Sequence, residues 1–289
     1  IPKGQVVNFT VTATDPSGNS ASASGSSRSP FKGRYGLSCA NPCGGYDTTA
    51  GDPVLLSTLG FVETQPIVQL PGPGTSSINI ALTYNGPNSE VGTVGQGWTF
   101  PYQMNLESHA NPLLIGAQVT YPDGRMVTFS DNGDGTYSPV SPDIHDRLIK
   151  RGSQFVLITK SLTEYVFEAN GHLSVINDPN GNAIRFTYSG DQLVYIENDS
   201  GRWVNISYNA TGYISALDAP EGKHYELGYT GTRLTSYTDA LGKVWTFEYQ
   251  EQPIGTLLDV HGQPYDATDY YLSAVKTPES HYKNQQTYN

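Results

Sequence analysis

Apolar and polar residues alternate along much of this chain, and the alternation is clearest after residue 165. Between Ile184 and Tyr188 every second residue is apolar, and the polar residues Arg185 and Thr187 lie between them. Three later segments repeat this pattern and end in Tyr208, Tyr229 and Tyr249. A period of two is typical of a β-strand that buries one face. The pattern therefore predicts an all-β, antiparallel sheet with one apolar, aromatic face and one polar face.

The alternating segments belong to a short internal repeat. Its glycines and its strand-ending tyrosines recur at the same spacings of 20, 21 and 20 residues: Gly181, Gly201, Gly222 and Gly242, with Tyr188, Tyr208, Tyr229 and Tyr249. A unit this short cannot bury its own apolar face, so successive units should stack into one sheet. We expect the glycines to form turns, assisted by Asp178 and Asp239, whose carboxylates can bind nearby backbone N–H groups. The tyrosines should form an aromatic ladder between adjacent repeats.

The rest of the chain divides by composition. Residues 1–29 contain an alternating strand with Val7, Phe9 and Val11, which predicts a hairpin or a strand that is added to another chain's sheet. Residues 30–50 have the composition of a linker, and residues 51–155, with short apolar runs between glycine-containing turns, predict a small all-β domain. Residues 156–289 contain the repeats and an acidic insertion at 250–271, where we expect a solvated loop. Because the pattern stops within a repeat, we expect further repeats to follow.

Composition and charge exclude several classes of protein. The chain has 289 residues with 31 Gly, 19 Pro and 20 Tyr, and only 15% are charged, which argues against a long helical protein. The aromatic fraction of 11% supplies buriable surface that disordered chains lack. A net charge of −11 does not suit a nucleic-acid-binding surface. No apolar window approaches the roughly 20 residues of a membrane-spanning helix, so we expect no membrane insertion in this segment.

Candidate chemistry is sparse. Cys39 and Cys43 lie close together in a turn-rich segment, where a local disulfide is favoured over a zinc site because no further ligands lie nearby. The segment from Asp131 to Gly135 has oxygen ligands spaced for calcium, but a plain hairpin turn is favoured. Asp259, Asp266 and Asp269 could in principle form a carboxylate pair, although a solvated loop is favoured. We therefore expect no enzyme activity, no catalytic residue, no metal and no cofactor.

The repeat resembles the YD repeat of the Rhs family of large bacterial proteins and their toxin-complex and teneurin relatives. Three blocks ahead of the repeats strengthen the resemblance, because they occur in the family's order: residues 51–74, 82–85 and 95–100. The hairpin at residues 1–29 is similar to the closing hairpin of bacterial immunoglobulin-like domains. The resemblance implies repeats that spiral into a hollow β-shell or scaffold, which in many relatives encloses a C-terminal toxin. The Asp178 to Gly181 segment superficially resembles a self-cleavage motif, but its place in the repeat favours a turn.

These observations lead to an expected function. The chain should be a non-enzymatic structural part of a secreted or cell-surface protein, and its partners should be a toxin or effector domain of the same polypeptide. The alternative is a self-assembling extracellular fibre or adhesin subunit, in which identical subunits join through the N-terminal strand. Carbohydrate binding by an exposed aromatic face is a third, weaker possibility.

Overall fold

The fold is built almost entirely from β-strands. The computed structural model describes residues 6–14, 20–28, 54–55, 60–85, 91–111, 114–122, 124–258, 264–279 and 282–285. Within these ranges the only helical element is one 3₁₀ turn, Pro220–Gly222, and no helix is long and apolar enough to cross a membrane. The predicted all-β, antiparallel fold is confirmed. Cys39 and Cys43, with the rest of the predicted linker, lie outside the described residues.

The strands follow one another with short turns. In chain order they are β1 Val6–Thr14, β2 Ser20–Arg28, β3 Val54–Leu55, β4 Gly60–Leu70, β5 Ile78–Asn85, β6 Val91–Gly92, β7 Gly95–Gln96, β8 Trp98–Thr99, β9 Asn105–Asn111, β10 Leu114–Thr120, β11 Met126–Asp131, β12 Thr136–Pro139, β13 Arg147–Arg151, β14 Gln154–Ile158, β15 Glu164–Phe167, β16 Leu173–Asn177, β17 Ala183–Ser189, β18 Gln192–Asn198, β19 Trp203–Tyr208, β20 Ile214–Ala219, β21 Lys223–Thr230, β22 Arg233–Thr238, β23 Val244–Leu258, β24 Pro264–Lys276 and β25 Tyr282–Gln285.

The chain forms two compact units. One comprises residues 1–34 and 252–269, and the other comprises residues 35–251 and 270–289. In the first unit β1 and β2 pair antiparallel over nine residues each, so that Val7, Phe9 and Val11 lie opposite Ser27, Gly25 and Ala23. The N-terminal strand is therefore half of an intramolecular hairpin.

A long sheet dominates the second unit. It runs from β9 to β25 in chain order. The sheet coils, because the start of β9 returns to the turn between β15 and β16: Asn105 bridges His172, and the Leu106 N–H donates to the Gly171 carbonyl oxygen at 3.0 Å. β9 thus meets this turn through a single β-bridge and not through a continuous ladder of paired residues. The long sheet is open.

A β-bulge recurs at the same position in successive repeats. The register shifts immediately before Phe167, Tyr188, Tyr208 and Tyr229, which pair with Leu173, Leu193, Ile214 and Leu234. Each bulge leaves one residue of the following strand unpaired, and in two cases its hydroxyl is used: the side chains of Ser174 and Thr235 donate to the carbonyl oxygens of Val166 and Gly228. Bulges increase the local twist of a sheet. With one bulge in each repeat, the twist of the sheet increases at regular intervals along the chain.

The predicted domain boundary at residue 155 does not separate two sheets. It falls inside β14, and β9 to β14 belong to the same ladder as the repeats. Among the described strands between residues 51 and 155, those from β3 to β8 form separate small sheets, with the orders β3-β4-β5-β8 and β6-β7. We call residues 54–104 the lead segment. The sequence repeat becomes visible only after the sheet has begun, because the earlier strands share its hydrogen bonding without sharing its spacing.

The lead segment and the long sheet share one hydrophobic core. This core contains Trp98 and Phe100 of the lead segment together with Phe129, Phe167 and Leu173 of the long sheet, all at most 2% exposed. The alternate residues Arg185, Asn205 and Glu226 are exposed on the opposite face. The predicted division into an apolar and a polar face therefore holds for these strands.

The insertion at 250–271 is not the loop that its composition predicts. Most of it lies in β23 and β24, which have 15 and 13 residues and are neighbours in the sheet. Of the residues considered for a carboxylate pair, Asp259 lies outside the described residues, whereas Asp266 and Asp269 belong to β24. Backbone hydrogen bonding across two strands does not require an apolar face, which is why the polar composition was misleading.

Candidate functional site

The turns of the repeat form a row along one edge of the strands. Gly181, Gly201, Gly222 and Gly242 all have positive φ, between 69° and 85°. Oδ1 of Asp178 accepts hydrogen bonds from the N–H groups of Asn180 and Asn182 at 2.8 Å, and Oδ1 of Asp239 accepts from those of Leu241 and Lys243 at 2.9 Å. Asn198 uses its Oδ1 in the same way. We call residues 178–181, 198–201, 219–222 and 239–242 the turn row.

One turn departs from this chemistry. At the position of Asp178, Asn198 and Asp239 the third turn has Ala219, which cannot accept a hydrogen bond through its side chain. The turn is instead the 3₁₀ element, in which Glu221 has φ of +67°. A non-glycine residue in the left-handed region is uncommon and costs conformational energy. The third turn is therefore built differently from the other three.

The tyrosines join three successive strands at each unit. The hydroxyl groups of Tyr208, Tyr229 and Tyr249 donate to the carbonyl oxygens of residues 15 positions earlier at 2.9, 2.7 and 2.6 Å: Leu193, Ile214 and Leu234. Each accepting residue is itself the pairing partner of the preceding tyrosine. We call Tyr188, Tyr208, Tyr229 and Tyr249 the tyrosine row.

The contacts in this row differ from the predicted aromatic ladder. The four rings form no ring–ring pair with one another in the described part of the chain, and three of them pack instead on other rings: Tyr188 on His172, Tyr229 on Tyr213 and Tyr249 on Tyr84. The hydrogen bond from hydroxyl to carbonyl is what links the units. Burial raises the pKa of Tyr208 to about 12, and it raises those of the other three further, so all four remain protonated donors.

The lead segment is attached to the end of the tyrosine row. The indole N–H of Trp98 donates to the Tyr249 hydroxyl at 2.8 Å, and this hydroxyl donates to the Leu234 carbonyl. The Trp98 ring also packs on Phe247, with centroids 4.8 Å apart. Nearby, the Leu272 N–H donates to the Tyr84 hydroxyl at 3.0 Å. Buried tryptophan and tyrosine normally satisfy their polar atoms in this way.

The lead segment is also attached to the first two turns of the turn row. In the β4–β5 loop, Thr75 N–H donates to Oδ2 of Asp178 at 3.2 Å. The side-chain amide of Asn198 donates to the carbonyl oxygens of Pro71 and Ser76 at 3.3 and 3.0 Å. Donors around Asp178, above all the Asn182 side chain, lower the pKa of its carboxyl group. The first two turns therefore bind backbone groups of Pro71, Thr75 and Ser76, at the two ends of a loop that contains the Pro-Gly-Pro-Gly segment, residues 71–74.

This loop depends on glycine. A Cβ atom on Gly74, which has φ of +56°, would lie 2.1 Å from Oδ2 of Asp178, and a Cβ atom on Gly72 would lie 2.4 Å from the Ser76 carbonyl oxygen. Sequence reasoning used this segment only as a turn signal and missed the contact. Two glycines alternating with two prolines were a usable signal, since this spacing permits close approach of a backbone.

Other candidate residues have ordinary structural roles. In the proposed calcium segment, Oδ1 of Asp131 accepts from Gly133 N–H and Oδ1 of Asp134 accepts from Thr136 N–H, as expected for a hairpin turn. No group of three or more potential metal ligands occurs among the residues that the structure describes. On the polar face His224 lies between Asp218 at 2.6 Å and Glu226 at 3.3 Å, and these hydrogen bonds, Asp218 first, raise the His224 pKa.

Comparison with known families identifies one region. A family described as "Domain of unknown function (DUF6531)" matches residues 51–129, which include the lead segment and the strands from β9 to Phe129 of β11. This domain is found in some proteins related to the Rhs/YD-repeat family. No curated protein matches the chain.

Proposed function

We propose that the chain is a non-enzymatic structural part of a secreted or cell-surface Rhs/YD-repeat protein, and that its sheet forms part of a β-shell that encloses or presents a C-terminal toxin or effector. The observation that carries the proposal is the repeated link from each tyrosine hydroxyl to the carbonyl oxygen 15 residues earlier. Because the link and the bulge recur together, each unit adds to the sheet in the same geometry. A sheet of this kind can be extended by further units, because each unit packs against its neighbour and needs no separate core.

Two further observations support this proposal. The family match covers a region that precedes the repeats in the chain, as expected for an Rhs/YD-repeat protein. Residues of the lead segment pack in one core with the apolar face of the sheet, so this part of the face is buried by the chain itself and needs no cargo to cover it. The chemistry of the described residues serves turns and strand contacts, which agrees with a structural role.

The test uses the complete polypeptide that carries this chain. Limited proteolysis, followed by mass spectrometry, should leave a downstream effector intact for as long as the repeats remain folded, whereas the same effector expressed alone should be digested rapidly. Digestion of the effector at the same rate in both contexts would overturn the shell proposal.

The alternative proposal, a fibre or adhesin subunit, is distinguished by the size of the isolated chain. If the isolated chain forms polymers whose size increases with concentration, and deletion of residues 1–29 abolishes them, the strand-addition fibre is supported and the shell proposal is rejected. A chain of constant size, with or without these residues, would argue against the fibre.

A further inference from the structure

A cleft of about 830 Å³ lies beside the last two turns of the turn row. Its walls are Gln65 to Ile67 of β4, the third turn with the start of β21, and the fourth turn with Trp245 of β23. This volume is in the range of typical ligand sites. The same strand, β4, leads into the Pro-Gly-Pro-Gly loop that the first two turns bind.

The turn row therefore has two halves with different neighbours. In the first half, Asp178 accepts a backbone N–H and Asn198 donates to backbone carbonyls, both from residues 71–76. In the second half, the corresponding space is the cleft, and Asp239 is one of its lining residues. The chain itself thus shows what this row of turns can bind: backbone N–H and carbonyl groups of a loop that contains a proline–glycine turn.

The polar groups of the cleft match such a ligand. Oδ1 of Asp239 is occupied by two amides of its own turn, as in Asp178, but its Oδ2 accepts no hydrogen bond within the described residues. The indole nitrogen of Trp245, which is half-buried, likewise donates no hydrogen bond within those ranges. One group can accept a backbone N–H and the other can donate to a backbone carbonyl. These are the two interactions that hold residues 71–76 in the first half.

The apolar groups of the cleft suit proline rings. The rings of Tyr237 and Trp245 lie 5.2 Å apart with an angle of 31° between their planes, and Tyr225 lines the same wall. Leu241 at the rim is 82% exposed. Aromatic-lined grooves bind proline-rich segments because these segments lose little conformational entropy on binding. The strained turn at Glu221 borders the cleft, and strained residues concentrate at binding sites.

We propose that this cleft is a docking site for a proline–glycine turn of a partner polypeptide. Trp245 and Tyr225 contact the proline rings, Oδ2 of Asp239 accepts a backbone N–H, and the Trp245 indole donates to a backbone carbonyl. The site thereby repeats, in trans, the contact that the first half of the turn row makes with residues 71–76.

The probe is a blocked hexapeptide with the sequence of residues 70–75, Leu-Pro-Gly-Pro-Gly-Thr, titrated into the full chain. The indole N–H resonance of Trp245 should shift on binding, whereas those of Trp98 and Trp203, which lie outside the cleft, should not. The matched control peptide, Leu-Ala-Gly-Ala-Gly-Thr, should bind at least about tenfold more weakly, because it lacks the rigid proline rings.

Three variants separate binding from folding. Asp239→Asn keeps the turn, because Asn198 has the same role two units earlier, but it removes the Oδ2 acceptor. Binding by the variants is measured by isothermal titration calorimetry, because Trp245→Phe lacks the indole resonance. Asp239→Asn should weaken peptide binding about tenfold, as should Trp245→Phe. Leu241→Ser changes an exposed residue, so any loss of binding that it causes cannot be due to unfolding. Unshifted Trp245 at millimolar peptide, equal binding of both peptides, or unchanged binding by all three variants would overturn the proposal.

Discussion

The repeats and the lead segment stabilise the same apolar face in different ways. In the repeats, one short pattern of bulge, tyrosine and turn is used again at every unit, and its hydrogen bonds are local along the sheet. In the lead segment, nothing repeats, and its stabilising contacts are single: Trp98 on Tyr249, and the β4–β5 loop on Asp178 and Asn198. A repeated contact can be lost once with little consequence, whereas a single contact cannot. Substitutions in the lead segment should therefore cost more stability than comparable substitutions in the repeats.

Trp98→Ala should have the largest effect. The side chain is 1% exposed, packs on Tyr84 and Phe247, and donates to the Tyr249 hydroxyl. Its removal should cost about 3–5 kcal/mol of unfolding free energy, measured by urea denaturation. The control is Trp203→Ala in the repeats, where the side chain is only half-buried, so the cost should be smaller. Equal costs would contradict the contrast between the two regions.

Gly74→Ala should have the next largest effect. Its new Cβ atom would lie 2.1 Å from Oδ2 of Asp178 in addition to the strain of positive φ, so we expect a loss of about 3 kcal/mol. Gly201→Ala in the repeats shares the positive φ but has nothing within 4 Å of the new atom, and should cost about 1 kcal/mol. If thermal unfolding shows the same loss for both, the loop does not depend on close approach.

Tyr229→Phe tests a single link of the tyrosine row. It removes the hydroxyl that donates to the Ile214 carbonyl at 2.7 Å and should cost about 1–2 kcal/mol. Tyr188→Phe is the matched control, because this tyrosine packs on His172 and donates no such bond within the described residues. It should change stability much less. If Tyr188→Phe loses more stability than Tyr229→Phe, the hydrogen bond is not what links the units.

His224→Gln should have the smallest effect, and the effect should depend on pH. Hydrogen bonds to the carboxylates of Asp218 and Glu226 raise the His224 pKa above the ordinary value of histidine. A raised pKa contributes stability that is complete below the unfolded-state value and is lost as the pH rises through the folded-state value. At about pH 5 the melting temperature of the variant should therefore be about 1 °C below that of the parent, a small difference because the site is exposed. At about pH 9 the two melting temperatures should be equal. A difference confined to high pH would contradict the assignment.

The sequence could predict the repeat but not what covers it. The 20- and 21-residue spacings predicted the strands, their apolar face and the turn glycines, because these depend on residues close together in the chain. The hydrogen bond from Tyr229 to Ile214 was missed, since the alternation of apolar and polar residues does not show which carbonyl oxygen a tyrosine hydroxyl reaches. The contact of Thr75 with Asp178 joins residues 103 positions apart, and a single sequence contains no signal for such pairs.

The cleft was also beyond sequence reasoning. Sequence reasoning treated the four turns alike, although Ala219 stands where the others have Asp or Asn. The consequence of this difference depends on β4, which lines the cleft together with the third and fourth turns. The insertion shows the opposite error, in which polar composition predicted a loop although the backbone forms two long strands. In both cases the deciding factor was which strand lies next to which.

The central claim is that the lead segment and the repeats share one core and therefore unfold together. Two variants test it, each retaining one tryptophan: Trp98 in the lead segment, or Trp203 in the repeats, with the remaining two tryptophans changed to Phe. Urea unfolding of each variant is followed by tryptophan fluorescence and by circular dichroism. In both variants the fluorescence transition should coincide with the circular-dichroism transition of the same variant. If the Trp98 probe reports unfolding at a lower urea concentration than the circular-dichroism signal of the same variant, the lead segment is a separate domain and the account is wrong.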